Sequence, residues 1–297
     1  MSPPAGATAN RWVLGARPRT LPAAVVPVLV GTASAVGVPG TDVVLWRALA
    51  ALVVALAIQV ATNYVNDFAD GERGTDDHRV GPVRLVGSGL ATVGQVKRAA
   101  LAAGGVAAVA GLLLTFAVGP ELLVVGVCSF AAGYLYTGGP KPYGYLGLGE
   151  VFVFVFFGLV ATVGSAYVQL ERISGLSVAA AIPVGLLATA LLVTNNLRDI
   201  PTDVVAGKVT LAVRLGDRDT RSLYATLLIG AFASAAAVGF VRSGALAALL
   251  AIPLAVAPVR AVLGGATGPR LIPVLGATGK VQLAVGALLA LGLAVTA

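Results

Sequence analysis

Charge is what this chain has least of. Only 11% of its 297 residues are Asp, Glu, Lys or Arg, where a soluble domain carries about 25%. So few charges cannot cover a water-facing surface, which excludes an ordinary soluble protein. Cysteine is almost missing. Cys128 stands alone inside an apolar run, so an intrachain disulfide and a cysteine-based metal cluster are both excluded. His78 is the single histidine, which argues against a histidine-rich metal site and against a Ser-His-Asp hydrolase. Aromatic residues make up 6%, and the basic residues sit in short loops between apolar runs. The net charge of +7 therefore reads as membrane orientation, and no nucleic-acid partner is expected. A secretory leader is not expected either: Met1 to Asn10 carries no charged side chain, and the first apolar segment follows Arg17 and Arg19 as a retained helix.

What the chain has in quantity is apolar runs of about twenty residues, the length that crosses a bilayer as a helix. Nine transmembrane helices are predicted, at about 20–38, 45–65, 99–118, 121–136, 147–169, 178–197, 222–241, 245–263 and 280–296. The expected fold class is all-α: a polytopic bundle in the lipid bilayer, one domain over 1–297 with a flexible N-terminal stretch at 1–16. Recurrent Gly and Ala allow close helix approach. Pro22, Pro27, Pro183 and Pro253 are tolerable where neighbours satisfy the freed carbonyls. With the N-terminus in the cytoplasm, seventeen of the twenty basic residues fall on that side, and Arg47, Arg172 and Arg242 on the other. That bias predicts cytoplasmic loops at 66–98 and 198–221 and an outside C-terminus.

Those two loops hold most of the acidic residues, which orientation does not explain. The second predicted helix ends Thr62-Asn63-Tyr64-Val65-Asn66-Asp67-Phe68-Ala69-Asp70, and the sixth ends Thr194-Asn195-Asn196-Leu197-Arg198-Asp199-Ile200-Pro201-Thr202-Asp203. Both read Thr-Asn-x-(Val/Leu)-x-Asp followed by a second Asp, four helices apart, as in a duplicated four-helix unit with a ninth helix added. Spacings of i,i+3 and i,i+4 put each pair on one helix face, with Pro201 expected to loosen the helix just past Asp199. Two carboxylates at a helix C-terminus oppose its partial negative charge unless a cation sits between them. Mg2+ favours one or two carboxylates with phosphate oxygens and water, so two facing half-sites would clamp a Mg2+-diphosphate.

These residues resemble the UbiA superfamily of intramembrane prenyltransferases. Asn66-Asp67-x-x-Asp70 and Asp199-x-x-x-Asp203 match its paired aspartate-rich motifs, and the nine-helix expectation agrees. Finer features resemble the branch that prenylates 1,4-dihydroxy-2-naphthoate in menaquinone synthesis. They are Arg17 to Pro22, Gly74-x-Asp76, Arg79-x-Gly81-Pro82-x-Arg84, Tyr136-Thr137-Gly138-Gly139-Pro140, and Asn196-Leu197-Arg198-Asp199 continuing to Gly207-Lys208 and Thr210 to Gly216. The resemblance implies an enzyme of the bacterial cell membrane that transfers a polyprenyl group from polyprenyl diphosphate to 1,4-dihydroxy-2-naphthoate, losing CO2 and pyrophosphate. Asp67, Asp70, Asp199 and Asp203 would hold Mg2+. Asn63, Asn66 and Asn195 would complete that shell, and Arg198 and Lys208 would neutralise the diphosphate. Asp76, Arg79, Arg84, Tyr136 and Lys141 are the candidates for the acceptor. Another aromatic acceptor, such as 4-hydroxybenzoate, is the alternative. A transporter is the remote one, because its polar sites usually lie near the midplane rather than at one face. Phe152, Phe154, Phe156 and Phe157 fit either a prenyl channel or a lipid-facing surface. Tyr136, Tyr143 and Tyr145 fit interfacial anchors.

Overall fold

The computed structural model describes residues 10–75 and 83–297. It opens with a short helix, α1 (Arg11–Ala16), capped by the Asn10 side chain, which accepts from the Trp12 N–H at 3.0 Å. Arg17 stops α1 in the left-handed region at φ 52°. A 3-10 turn, Pro18–Thr20, then leads into α2 (Pro22–Ser34), bent 51° from the segment before it. Pro22 starts α2, where its missing N–H has no helical partner to lose. α3 (Leu45–Glu72) and α4 (Val93–Val118) form a long hairpin, α4 opening on a capping box between Thr92 and Gln95. α5 (Glu121–Leu135) follows a Gly119-Pro120 break. α6 (Gly149–Val153), a π-helical stretch Phe154–Val160 and α7 (Ala161–Leu170) make one continuous span. Then come α8 (Gly175–Val205), α9 (Leu211–Val238), a 3-10 run Ser243–Ala251 leading into α10 (Ile252–Leu263), and α11 (Leu271–Val295).

Lipid offers helices no hydrophobic reward for association, so contact rests on close packing. α8 is the axis of the bundle: Val184, Leu187, Ala190 and Val193 pack with Val26 and Val30 of α2, Tyr224 of α9, and Val281, Val285 and Leu289 of α11. The Tyr224 and Thr278 hydroxyls satisfy each other at 2.7 Å inside this core. A Cβ on Gly158 would lie 2.4 Å from the Gly185 Cα, so the π-helical span touches α8 backbone to backbone. α4 and α5 lie at the edge and turn Leu101, Val109, Phe116, Val124 and Val127 outward, the surface a bilayer would cover.

Among the described residues seven helices are long and apolar enough to cross a membrane, and the bent α1–α2 pair makes an eighth. The fourth expected span, α5, is apolar but has 15 residues, about 22 Å of helix against a core of about 30 Å. Among the described residues eight spans are therefore found where nine were expected, with α5 a shorter apolar helix. Helix ends also move. α9 begins at Leu211, with a kink at Gly216 (φ 76°) before its apolar span, and α11 begins at Leu271, both ahead of the predicted apolar stretches. Asp217 and Arg221 pair i,i+4 just past that kink. Pro201 does not loosen α8, which runs through it to Val205. Both Asp199 and Asp203 are therefore helical.

Candidate active site

The C-terminal ends of α3 and α8 converge on one mouth. From it a cavity of about 570 Å3 descends through the bundle. Asp70 and Ala51 both line it, and nineteen helical steps between them correspond to about 28 Å. The lower walls are apolar: Val54, Ile58, Leu114, Leu122, Val125 and Val168. The mouth is polar. Asn66, Asp70, Arg84, Asn195, Asp199, Asp203 and Lys208 line it, together with Arg17 and Arg19 from the α1–α2 bend.

Asp70 is fully buried. Its Oδ1 accepts from the Tyr145 hydroxyl at 2.9 Å, and its Oδ2 faces Arg84 Nη2 at 3.4 Å and Lys208 Nζ at 3.6 Å. Burial, then the negative charge of Asp70, raises the Tyr145 pKa, so this tyrosine stays a phenol and a donor. Two cations lie over its ring, Arg73 at 5.3 Å and Lys208 at 5.1 Å from the centroid. Asp199 takes Arg198 in a two-pronged contact, Nε to Oδ1 at 2.7 Å and Nη2 to Oδ2 at 2.8 Å. Asn66 Oδ1 accepts from the Thr137 hydroxyl at 2.8 Å. Asn63 donates to the Ala16 carbonyl at 2.9 Å and to Thr20 Oγ1 at 3.1 Å, tying α3 to the bend that carries Arg17 and Arg19.

Several expectations change here. Asp67 is not on the cavity wall. Its two oxygens accept the backbone N–H groups of Leu85 and Val86, at 2.8 and 2.9 Å. Arg198 is likewise off the wall, turned onto Asp199. Lys141 is exposed and away from the cavity. Asp76 and Arg79 lie outside the described residues. Tyr136 and Tyr143 are not interfacial anchors: both line the cavity. Tyr136 meets Tyr143 edge-on at 5.5 Å, Tyr143 stacks on Phe152 at 3.9 Å, and Phe152 on Phe156 at 6.0 Å. Phe157 also lines the cavity, whereas Phe154 packs against Gly185. The aromatic residues of this stretch therefore divide between channel and helix contact. Sequence reasoning missed Glu150, which is buried and accepts from Asn196 Nδ2 at 2.8 Å. An acidic residue opening an apolar helix was the available signal.

Among the described residues no three His, Cys, Asp or Glu side chains stand together as a ready-made metal cluster. At the mouth, Asp70, Asp199 and Asp203 offer carboxylate oxygens, and Asn66 and Asn195 amide oxygens, to a cation. That donor set fits Mg2+ bound by one or two carboxylates and completed by phosphate oxygens and water.

A charged mouth at one end of the membrane helices, above an apolar shaft, defines an intramembrane enzyme for substrates with an anionic head and a hydrocarbon tail. The model of the UbiA prenyltransferase family matches residues 24–267. The chain belongs to that family. It is 50% identical over 273 residues to the 1,4-dihydroxy-2-naphthoate octaprenyltransferase of Mycobacterium tuberculosis, covering 92% of this chain and 93% of that one. Its fold is similar to a UbiA homolog from Aeropyrum pernix, with TM-score 0.70, 18% identity, and 91% and 95% of the two chains covered. It is also similar to a UbiA homolog from Archaeoglobus fulgidus bound to GPP and Mg2+, with TM-score 0.64, 15% identity, and 94% and 99% covered.

Proposed function

We propose that the protein transfers a polyprenyl group from its diphosphate to 1,4-dihydroxy-2-naphthoate, the step that commits a naphthoate to menaquinone. The relative that shares half of its residues along nearly its whole length carries that activity in its name. The observation that carries the reading within this chain is the mouth itself: Asp70, Asp199 and Asp203 with Arg84 and Lys208, directly above an apolar shaft.

In this reading the diphosphate sits at the mouth and the polyprenyl tail lies in the shaft. Asp70, Asp199 and Asp203 would hold Mg2+, which supplies positive charge to the leaving diphosphate. Arg84 and Lys208 donate to its oxygens, the kind of preset electrostatic stabilisation that favours departure. The allylic C–O bond breaks and its electron pair leaves with pyrophosphate. Tyr136, Tyr143 and Phe152 present ring faces and edges at the junction of mouth and shaft, where a cationic carbon gains from nearby π faces. The electron-rich ring of the acceptor attacks at the carbon bearing its carboxylate. The carbon–carboxylate bond then breaks, CO2 leaves, and demethylmenaquinol remains, to be oxidised to demethylmenaquinone. Arg17 and Arg19 place two further cations on the cavity wall, within reach of an anionic acceptor. The mouth faces the cytoplasm of a bacterial cell membrane, in keeping with its share of the basic residues.

The test is competition between 1,4-dihydroxy-2-naphthoate and 4-hydroxybenzoate for one long-chain prenyl diphosphate in washed membranes, with products weighed by mass spectrometry. The expected product has gained a prenyl group and lost CO2. A preference for 4-hydroxybenzoate, with the carboxylate kept in the product, would leave the prenyl transfer standing and overturn the acceptor.

A further inference from the structure

Asp67 looks in sequence like an equal partner of Asp70, yet the two side chains have different employment. Three residues apart on a helix they diverge by about 60°. Asp70 reaches the mouth, and Asp67 turns under the segment that follows the first motif. Its carboxylate is fully buried and receives two consecutive backbone N–H groups, Leu85 to Oδ2 and Val86 to Oδ1. A carboxylate held this way has committed an oxygen to each donor.

The segment it grips is the one that delivers Arg84. Leu85 is fully buried, with its side chain over Gly15 of α1 and close to Tyr64 of α3. Val86 lies on Gly71, where an added Cβ would come within 2.5 Å of its Cγ1. A turn closes behind them, Ser88 N–H donating to the Arg84 carbonyl at 3.0 Å and Ala91 N–H to the Leu85 carbonyl at 3.0 Å. Arg84, the residue next to this anchor, sends its guanidinium to Asp70 and the cavity.

We infer that Asp67 is a positioning residue: it clamps the Leu85–Val86 backbone onto α3 and thereby sets Arg84 at the mouth. The two acids of the first motif thus divide the work, Asp67 fixing the strap and Asp70 facing the substrate. The inference rests on the reading that a prenyl diphosphate binds at this mouth. The clamp itself does not, since it is a contact within the chain.

The experiment uses the full-length protein in detergent or nanodiscs, as wild type, Asp67→Asn, Asp67→Ala, Arg84→Gln and the Asp67→Ala/Arg84→Gln double variant. The expected result for Asp67→Ala is a rise of about tenfold or more in KM for the prenyl diphosphate. The Mg2+ concentration for half-maximal turnover should stay within about twofold of wild type, since no metal ligand is lost. In the Arg84→Gln background the same substitution should change KM by less than about twofold, because its effect passes through Arg84. Amide hydrogen exchange at Leu85 and Val86 should accelerate in Asp67→Asn and remain slow in Arg84→Gln. If Asp67→Ala does not fold, Asp67→Asn, which keeps side-chain size, carries the same kinetic comparisons. A tenfold or greater shift in the Mg2+ requirement, or multiplying effects in the double variant, overturns the positioning role in favour of a direct one. Unchanged exchange at Leu85 and Val86 in Asp67→Asn overturns the clamp. A wild type that turns over no prenyl diphosphate sinks the functional reading instead, and the exchange measurement still decides the clamp.

Discussion

Replacing Asp70 by Asn removes one negative charge and almost no volume. The Asn carbonyl can still accept from Tyr145, now 2.9 Å from Oδ1. What goes is the counter-charge to Arg84 at 3.4 Å and Lys208 at 3.6 Å, both buried beside it. The mouth becomes more positive by one unit where a cation must also be held. Both consequences act on the diphosphate in the transition state. Loss of a single such stabiliser costs about a hundredfold or more in turnover, roughly 2.7 kcal/mol. The change makes the segment less costly to place near a membrane, so the protein should still insert. The assay is transfer of a radiolabelled prenyl group in washed membranes, with Mg2+ titrated to saturation and protein level fixed by immunoblot. Asp70→Asn should stay at or below about 1% of wild type at every Mg2+ concentration. Turnover within about threefold of wild type at saturating Mg2+ would refute the idea that Asp70 acts through charge.

Asp203→Asn and Asp199→Asn should each fall about a hundredfold in the same assay, and wild-type activity stopped by EDTA should return with Mg2+; retained activity in EDTA would count against a metal-held diphosphate. Lys208→Ala should raise KM for the prenyl diphosphate more than KM for the acceptor, about tenfold against twofold, and a reversed ratio would move Lys208 to the acceptor. For orientation, Val205→Cys and Leu146→Cys at the mouth end and Ile173→Cys at the far end are all exposed positions. In a Cys128→Ala background, an impermeant thiol reagent outside intact cells should modify only the third; labelling of Val205→Cys would invert the protein. Gly158→Leu would drive a side chain into the Gly185 backbone, 2.4 Å from its first carbon. It should cost about 1–3 kcal/mol of stability, seen as earlier thermal unfolding in detergent, and an unchanged transition would mean that the π-helical span moves freely off α8.

By itself the sequence determined the membrane class, most of the spans, and the two acidic pairs at the ends of α3 and α8. Each of these follows from local chemistry: an apolar run of bilayer length, or a carboxylate pair at helical spacing. Tertiary structure decided which member of each set does what. Asp67 and Asp70 share a motif, but helix rotation sends one beneath Leu85 and Val86 and the other to Lys208, 138 positions away along the chain. Arg198 and Lys208 looked equivalent, yet Arg198 turns onto its neighbour Asp199 while Lys208 reaches the cavity. Tyr136, Tyr143 and Tyr145 read as interfacial anchors because composition records that they sit at a membrane edge, not which way they point; packed against the π-helical span and Asp70, they became cavity wall and hydrogen-bond donor. Pro201 was a local signal for loosening, and the helix ran through it with Asp199 and Asp203 both in helical register. Local patterns set where polar groups occur along the chain. For Asp67 and Asp70 the partners come from segments well along the chain, so direction and role are settled only when those segments pack.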